Sequence, residues 1–143
     1  MNTNRVLHVL IVDDDKDTAD SFASLFKLWG HEAMAATTAD AALDSVRRFV
    51  PDLILADVAM PRASGLTFAA MLRQMPEHRT TPLLAVTGLQ GYRDACLQAG
   101  FDDFLLKPVS IDELQRIVDT VQRGDPRGAV RAVDCQALEV AAR

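Results

Sequence analysis

The chain has 143 residues, 49% apolar and 24% charged, which is enough to bury one core and too apolar to stay disordered. Its net charge of −5, from 20 acidic and 15 basic residues, argues against the clustered basic face that nucleic-acid binding needs. Its two cysteines, Cys96 and Cys135, stand far apart without a CxxC, so a disulfide framework or a zinc site is not expected, and they read as one buried thiol and one tail thiol.

Apolar runs and helical periodicities alternate along the chain. Residues 6–12 read as a strand. Residues 18–29 carry Phe22, Leu25, Phe26 and Trp29 at helical spacing, placing Phe22 and Trp29 in the core, with Gly30 as a C-terminal cap. Residues 33–36 form a weak, alanine-rich strand. Residues 40–49 are helical with Ala42, Val46 and Phe49 inward, and Pro51 ends the segment. Residues 53–56 are a short continuous apolar run, the pattern of a strand covered on both faces. A helix over 66–75 stops at Pro76, and a strand over 83–86 follows. Residues 92–99 read as a helix closed by Gly100, and 104–106 as a fifth strand. Ser110 and Glu113 form a capping box for a helix that buries Ile111, Leu114, Ile117, Val118 and Val121. Five strands alternating with five helices predict a parallel sheet with helices on both faces, in one domain over residues 5–122. Residues 123–143 are a linker and tail. Val130, Val133, Ala137 and Leu138 there are loosely helical in spacing, which fits a short docked helix and a frayed tail equally well.

No apolar run approaches the ~18 residues of a membrane span. The opening MNTNRV is too short and polar for a signal peptide, so a soluble, cytoplasmic protein is expected, with no membrane partner.

Open α/β sheets bind ligands at the carboxyl ends of their strands. Here Asp13 and Asp14 follow the first strand, Asp57 the third, Thr87 the fourth and Lys107 the fifth. Three carboxylates, a hydroxyl and an amine at one sheet edge suit a hard divalent cation that bridges to phosphate, Mg²⁺ in particular. Two carboxylates ~4 Å apart repel by about 4 kcal/mol at an effective dielectric near 20, so a cation among them resolves the conflict. Asp15 reads as solvated and Asp17 as a cap for the first helix. Gly65 suggests a turn needing positive φ, and Gly88 and Gly91 suggest a mobile loop around Leu89 and Gln90. His8, His31 and His78 are scattered without ligand spacing.

The segments LIVDDD, ILADVAMP, LLAVTG and FLLKP, in this order and spacing, resemble the four motifs of response-regulator receiver domains, the phosphorylatable modules of bacterial two-component signalling. The resemblance covers about residues 6–121. It implies a flavodoxin-like (βα)5 fold with a doubly wound, five-stranded parallel sheet. It also implies a signalling phosphoacceptor, not an enzyme with its own turnover substrate. Asp57 would accept a phosphoryl group from a histidine kinase or histidine phosphotransfer protein. Asp13, Asp14 and Asp57, with the backbone carbonyl of Ala59, would hold Mg²⁺. Thr87 would hydrogen-bond the phosphoryl group and Lys107 would pair with it. Phe104 stands at the aromatic switch position, and Lys107-Pro108 at a peptide bond that is usually cis. The responding surface would be the fourth helix, fifth strand and fifth helix, Tyr92 and Arg93 included, where a downstream protein would dock. The stretch from Thr87 to Val109 is most similar to single-domain regulators and the receivers of hybrid sensor kinases.

Four other readings fit less well. An EF-hand loop starting at Asp13 would need glycine where Thr18 stands and glutamate where Ser24 stands. A haloacid-dehalogenase-like phosphatase would need Thr or Val in place of Asp17, and its late acidic pair after the lysine, whereas Asp102 and Asp103 precede Lys107. A flavodoxin would need a phosphate-binding loop after the first strand, where this chain is acidic. A degenerate receiver, binding proteins without being phosphorylated, would normally lack one of the site residues, and none is missing.

Resemblance to the family also bears on how long a phosphoryl group would persist. Receivers that dephosphorylate themselves rapidly place polar side chains two residues after the acceptor and two after the threonine, to orient the attacking water. Here those positions hold Ala59 and Leu89, which neither donate nor accept hydrogen bonds. A slowly decaying phosphoform is expected. The double substitution Ala59→Asn, Leu89→Glu should speed decay several-fold, since positioning one water is worth on the order of 1 kcal/mol of barrier. The check is loss of radiolabelled phosphate over time, and an unchanged rate in a folded, phosphorylatable variant rejects the idea.

Overall fold

The structure is a computed structural model and describes residues 5–58, 65–88, 91 and 93–124. The five predicted strands are present as β1 (His8–Val12), β2 (Glu32–Ala36), β3 (Leu53–Ala56), β4 (Leu83–Thr87) and β5 (Asp103–Leu106). Between and after them run α1 (Lys16–Leu28), α2 (Ala39–Arg48), α3 (Gly65–Gln74), α4 (Arg93–Ala99) and α5 (Ile111–Gln122), with a 3-10 turn at Pro76–His78. All strand pairings are parallel, in the order β2-β1-β3-β4-β5. This is the parallel sheet expected from the alternation of elements, and the flavodoxin-like, doubly wound (βα)5 fold that the resemblance implies.

Two apolar cores sit on opposite faces of the sheet. One gathers Leu10, Val12, Ile54 and Ala85 with Leu43 and Val46 of α2, Phe68 and Leu72 of α3, and Cys96 of α4. The other gathers Val9, Ile11, Leu55 and Val86 with Phe26 of α1 and Leu114, Ile117 and Val118 of α5. Every residue of β3 and β4 is buried, which is why those runs carry no polar alternation.

Several local expectations need correction. Asp15 is exposed, as expected, but it and not Asp17 is the N-cap of α1, its carboxylate accepting from the amides of Asp17 at 3.0 Å and Thr18 at 3.4 Å. Asp17 lies in the first turn, so the helix starts two residues before the apolar periodicity does. Ala19, Ala23 and Phe26 are the buried seam of α1, while Phe22, Leu25 and Trp29 only partly enter the core. Trp29 packs edge-on against Phe26, with centroids 5.7 Å apart. Ile111 is exposed because it opens α5 beyond the sheet, whereas Leu114, Ile117, Val118 and Val121 are buried. Other expectations hold: Gly30 adopts φ +90 after α1, Ser110 caps α5 by accepting from the Glu113 amide at 3.1 Å, and Lys107-Pro108 is cis. Cys96 is a buried free thiol, and Cys135 lies outside the described residues.

Arg73 and His31 hold the end of the sheet opposite the polar strand ends. The Arg73 guanidinium donates to the carbonyls of Gly100 (2.9 Å), His78 (2.8 Å) and Thr81 (2.8 Å) and to Asp102 Oδ2 (3.2 Å), joining α3 to the segments leading into β4 and β5. His31 Nδ1 accepts from the Leu7 amide at 3.0 Å, so that nitrogen is unprotonated. Burial pushes the His31 pKa down. Its neutral form therefore stabilises the fold fully above the unfolded value of about 6.5, and the contribution is lost as pH falls from there through the lowered folded value. In His31→Asn, an amide oxygen can accept the Leu7 bond without titrating. The stability difference between wild type and His31→Asn, measured by urea unfolding from pH 7.5 to 5.5, should move against wild type as pH falls. A constant difference rejects the assignment.

Candidate functional site at the strand ends

The site follows from sheet register. Val12 pairs with Ala56, so the next residues, Asp13 and Asp57, leave adjacent strands at the same height. The Asp57 amide donates to the Val12 carbonyl at 2.8 Å, and the Asp13 amide to the Ala36 carbonyl at 3.0 Å, fixing both backbones. After β1 the chain turns toward the β2 edge and after β3 toward the β5 edge, so a crevice opens between β1 and β3, where ligands bind in this topology.

Lys107 reaches this crevice from the far side. It follows β5, its amide donating to the Thr87 carbonyl at 2.9 Å. Its Nζ lies 3.0 Å from Asp13 Oδ2 and 3.5 Å from Asp57 Oδ2. Burial alone would lower its pKa, but the hydrogen bond and charge of Asp13, then the charge of Asp57, more than reverse this, and the net shift is upward. Lysine 107 therefore stays an ammonium ion. Asp13 is held from two sides, since its Oδ1 also accepts from the Asp15 amide at 2.9 Å. Its side chain is 5% exposed and that of Asp57 is 11% exposed, so neither carboxylate is well hydrated.

Asp13, Asp14 and Asp57 each offer a carboxylate oxygen within 4.8 Å of the others, with Asp14 open to solvent. An octahedral Mg²⁺ with oxygens at about 2.1 Å spans about 4.2 Å between opposite ligands. The three groups fit such an ion after a small closure, and their donors are all hard oxygens, the type it takes. Thr87 ends β4 and is fully buried. Phe104, in β5 opposite Ala85, is half-buried against the core of the α2, α3 and α4 face. Alternation along β4 puts Ala85 and Thr87 on one face, so the threonine and the ring share it. The expected fourth ligand, the Ala59 carbonyl, and also Leu89 and Tyr92, lie outside the described residues. His8, His31 and His78 are not brought together: His8 stacks on Phe49, and the others lie buried elsewhere.

Sequence reasoning missed what Gly65 does. Its φ is not positive; it opens α3 tight against the strand end carrying Asp57. A Cβ there would meet the Asp57 carbonyl oxygen at 2.3 Å and Val58 Cα at 2.9 Å. Only a long-range packing distance, invisible to local turn rules, reveals this.

The response regulator receiver domain profile matches residues 9–119. A 14.6 kDa protein from the sodA1 3′ region of Leptolyngbya boryana is 37% identical over 120 residues, covering 82% of this chain and 92% of that one. The polar-differentiation response regulator DivK of Brucella ovis is 32% identical, with coverage of 80% and 92%. The receiver domain of a sensor histidine kinase from Pseudomonas aeruginosa, solved with a magnesium ion in its active site cleft, aligns with a TM-score of 0.74. It is 30% identical, and the match covers 82% of this chain and 98% of that one. Among the described residues, no helix is long and apolar enough to cross a membrane.

Gly65→Ala should move the Asp57 backbone and loosen the acidic cluster. The expected outcome is a loss of about 1–3 kcal/mol in urea unfolding, the range for overpacking, together with severalfold weaker calorimetric Mg²⁺ binding. Wild-type values for both would show that the close approach is unimportant.

Proposed function

The chain belongs to the response regulator receiver domain family, and on that premise we propose that it accepts a phosphoryl group on Asp57 and relays it as a change of surface. The donor is a histidine kinase or a histidine phosphotransfer protein in the cytoplasm, and the readout is a protein contact on the α4–β5–α5 face. One observation carries the reading: a charged lysine stands beside both buried carboxylates, 3.0 Å from Asp13 and 3.5 Å from Asp57, at the mouth of an acidic cluster.

Asp13, Asp14 and Asp57 would hold Mg²⁺, as the magnesium-bound Pseudomonas relative supports. Bound there, the ion supplies positive charge to the phosphoryl oxygens. An Asp57 carboxylate oxygen forms the bond to phosphorus as the donor's nitrogen–phosphorus bond breaks, a nucleophilic step by a carboxylate. Lys107 neutralises the anionic group as it arrives, and its anchoring to Asp13 positions it before transfer. The Thr87 hydroxyl then donates to a phosphoryl oxygen, and the Phe104 ring follows it inward. A degenerate receiver that only binds proteins is disfavoured, because each residue this chemistry needs is present, and the acidic ones cluster with the lysine.

With Mg²⁺ and acetyl phosphate or a cognate kinase, intact mass should rise by one phosphoryl group. Asp57→Asn and EDTA should each abolish the gain. Labelling of Asp57→Asn at the wild-type level would displace the acceptor assignment. A wild type that never labels while binding its partners would favour the degenerate receiver.

A further inference from the structure

Arg93 and Asp103 form a pair that the phosphoacceptor chemistry leaves unused. Asp103 opens β5 with a side chain only 1% exposed. Its Oδ1 accepts from the Phe104 amide at 2.8 Å and meets Arg93 Nη2 at 3.4 Å, while its Oδ2 has no hydrogen-bond partner among the described residues. Burial pushes the Asp103 carboxyl above its usual range, and the Phe104 amide and Arg93 oppose that. A buried carboxylate with one oxygen unserved strongly resists losing its cation. The guanidinium of Arg93 is thus pinned from one side. On the other it covers the Phe104 ring, its central carbon 5.8 Å from the ring centroid.

We propose that Arg93, anchored by the buried Asp103 carboxylate, is a latch that holds the Phe104 ring in its resting position and so opposes the switch. The proposal rests on the reading above, in which the ring moves toward Thr87 when Asp57 is occupied. A ring that moves inward leaves the guanidinium behind and gives up the attraction of a cation to its face. Arginine suits this role because its flat, permanently charged group can bind a carboxylate with one edge and lie on an aromatic face. Both anchors are in one dipeptide of β5, Asp103 and Phe104, so a single side chain at the start of α4 couples that helix to the switch strand. The latch sets a threshold: phosphorylation must supply enough differential contact at Thr87 to overcome it.

The test uses the full chain as wild type, as Arg93→Ala, and as the double variant Arg93→Ala, Asp103→Asn. The double variant removes the stranded charge, so it decides the matter if the single variant fails to fold. Two measurements are made: the Kd for the phosphoryl mimic beryllofluoride with Mg²⁺, and nuclear Overhauser contacts between the Phe104 ring and the Thr87 methyl without any mimic. In the folded variant, beryllofluoride should bind about two- to fivefold more tightly, the range expected from losing one exposed cation–ring contact in the resting state. The ring-to-methyl contacts should strengthen before any ligand is added. Unchanged or weaker beryllofluoride binding with unchanged ring contacts overturns the latch. Should wild type bind no beryllofluoride, the phosphoacceptor reading fails instead, and the ring contacts alone judge the latch: stronger contacts in the variant support it, and unchanged contacts overturn it.

Discussion

The site depends on one electrostatic conflict. Parallel pairing of Val12 with Ala56 delivers Asp13 and Asp57 side by side, largely out of water, with Asp14 close enough to complete a cluster within 4.8 Å. Hydration cannot relieve that repulsion, so a cation must. The chain supplies one from the far side of the sheet: Lys107 crosses in front of β4 and β3 to reach Asp13 on β1. The bond joins residues 94 positions apart and spans four of the five strands. It leaves the acidic site poised, because one lysine does not balance three carboxylates. The residual negative charge is what would draw a divalent cation, and the ammonium is what would meet an incoming phosphoryl group.

Much of this was legible in the sequence. Strands β3 and β4 are uninterrupted apolar runs, and their ends are marked by Asp57 and Thr87; continuous burial leaves no other pattern possible. The Ser110 cap was equally plain, since capping is local chemistry within one turn. The misreadings share a cause. The apolar periodicity of α1 begins after its polar first turn, so it points to Asp17 as the cap where Asp15 holds that place. Phe22 and Trp29 share a helical stripe with Phe26, but the width of the buried stripe is set by how closely α1 lies on the sheet. Gly65 and Arg73 act through residues outside their own helix: one by approaching the Asp57 backbone, the other by collecting three carbonyls from the two segments that lead into β4 and β5. Nothing local to either residue announces that.

The two ends of the sheet are built for different tasks. At the end opposite the acidic cluster, Arg73 and His31 satisfy backbone groups and hold neighbouring segments in register. Apart from the Asp102 carboxylate, their partners are amides and carbonyls, and these bonds resist displacement because buried backbone groups left unpaired are costly. At the acidic end the partners are side chains whose charges do not cancel. An end fixed by backbone hydrogen bonding lets the other carry unresolved charge without loosening the fold.

The gradient of burial across the sheet says where that charge can act. Every residue of β3 and β4 is buried, so the strands that carry Asp57 and Thr87 have no freedom to move without breaking both cores. Strand β5 is an edge, and its burial alternates: Asp103 and Leu105 are buried, Phe104 is half-buried, and Leu106 is exposed. A change in charge at Asp57 thus meets rigid neighbours on either side and a deformable strand two places away. Side-chain rearrangement on β5 is the path of least resistance, and α4, only seven residues long, is the element packed beside it. Cys96 is the buried residue of this short helix, so on the proposed reading α4 could follow the ring at small expense to the core. On the proposed reading the buried centre would sense the phosphoryl group and the edge would respond, and Lys107, at the end of that edge strand with its ammonium against Asp13 and Asp57, joins the two.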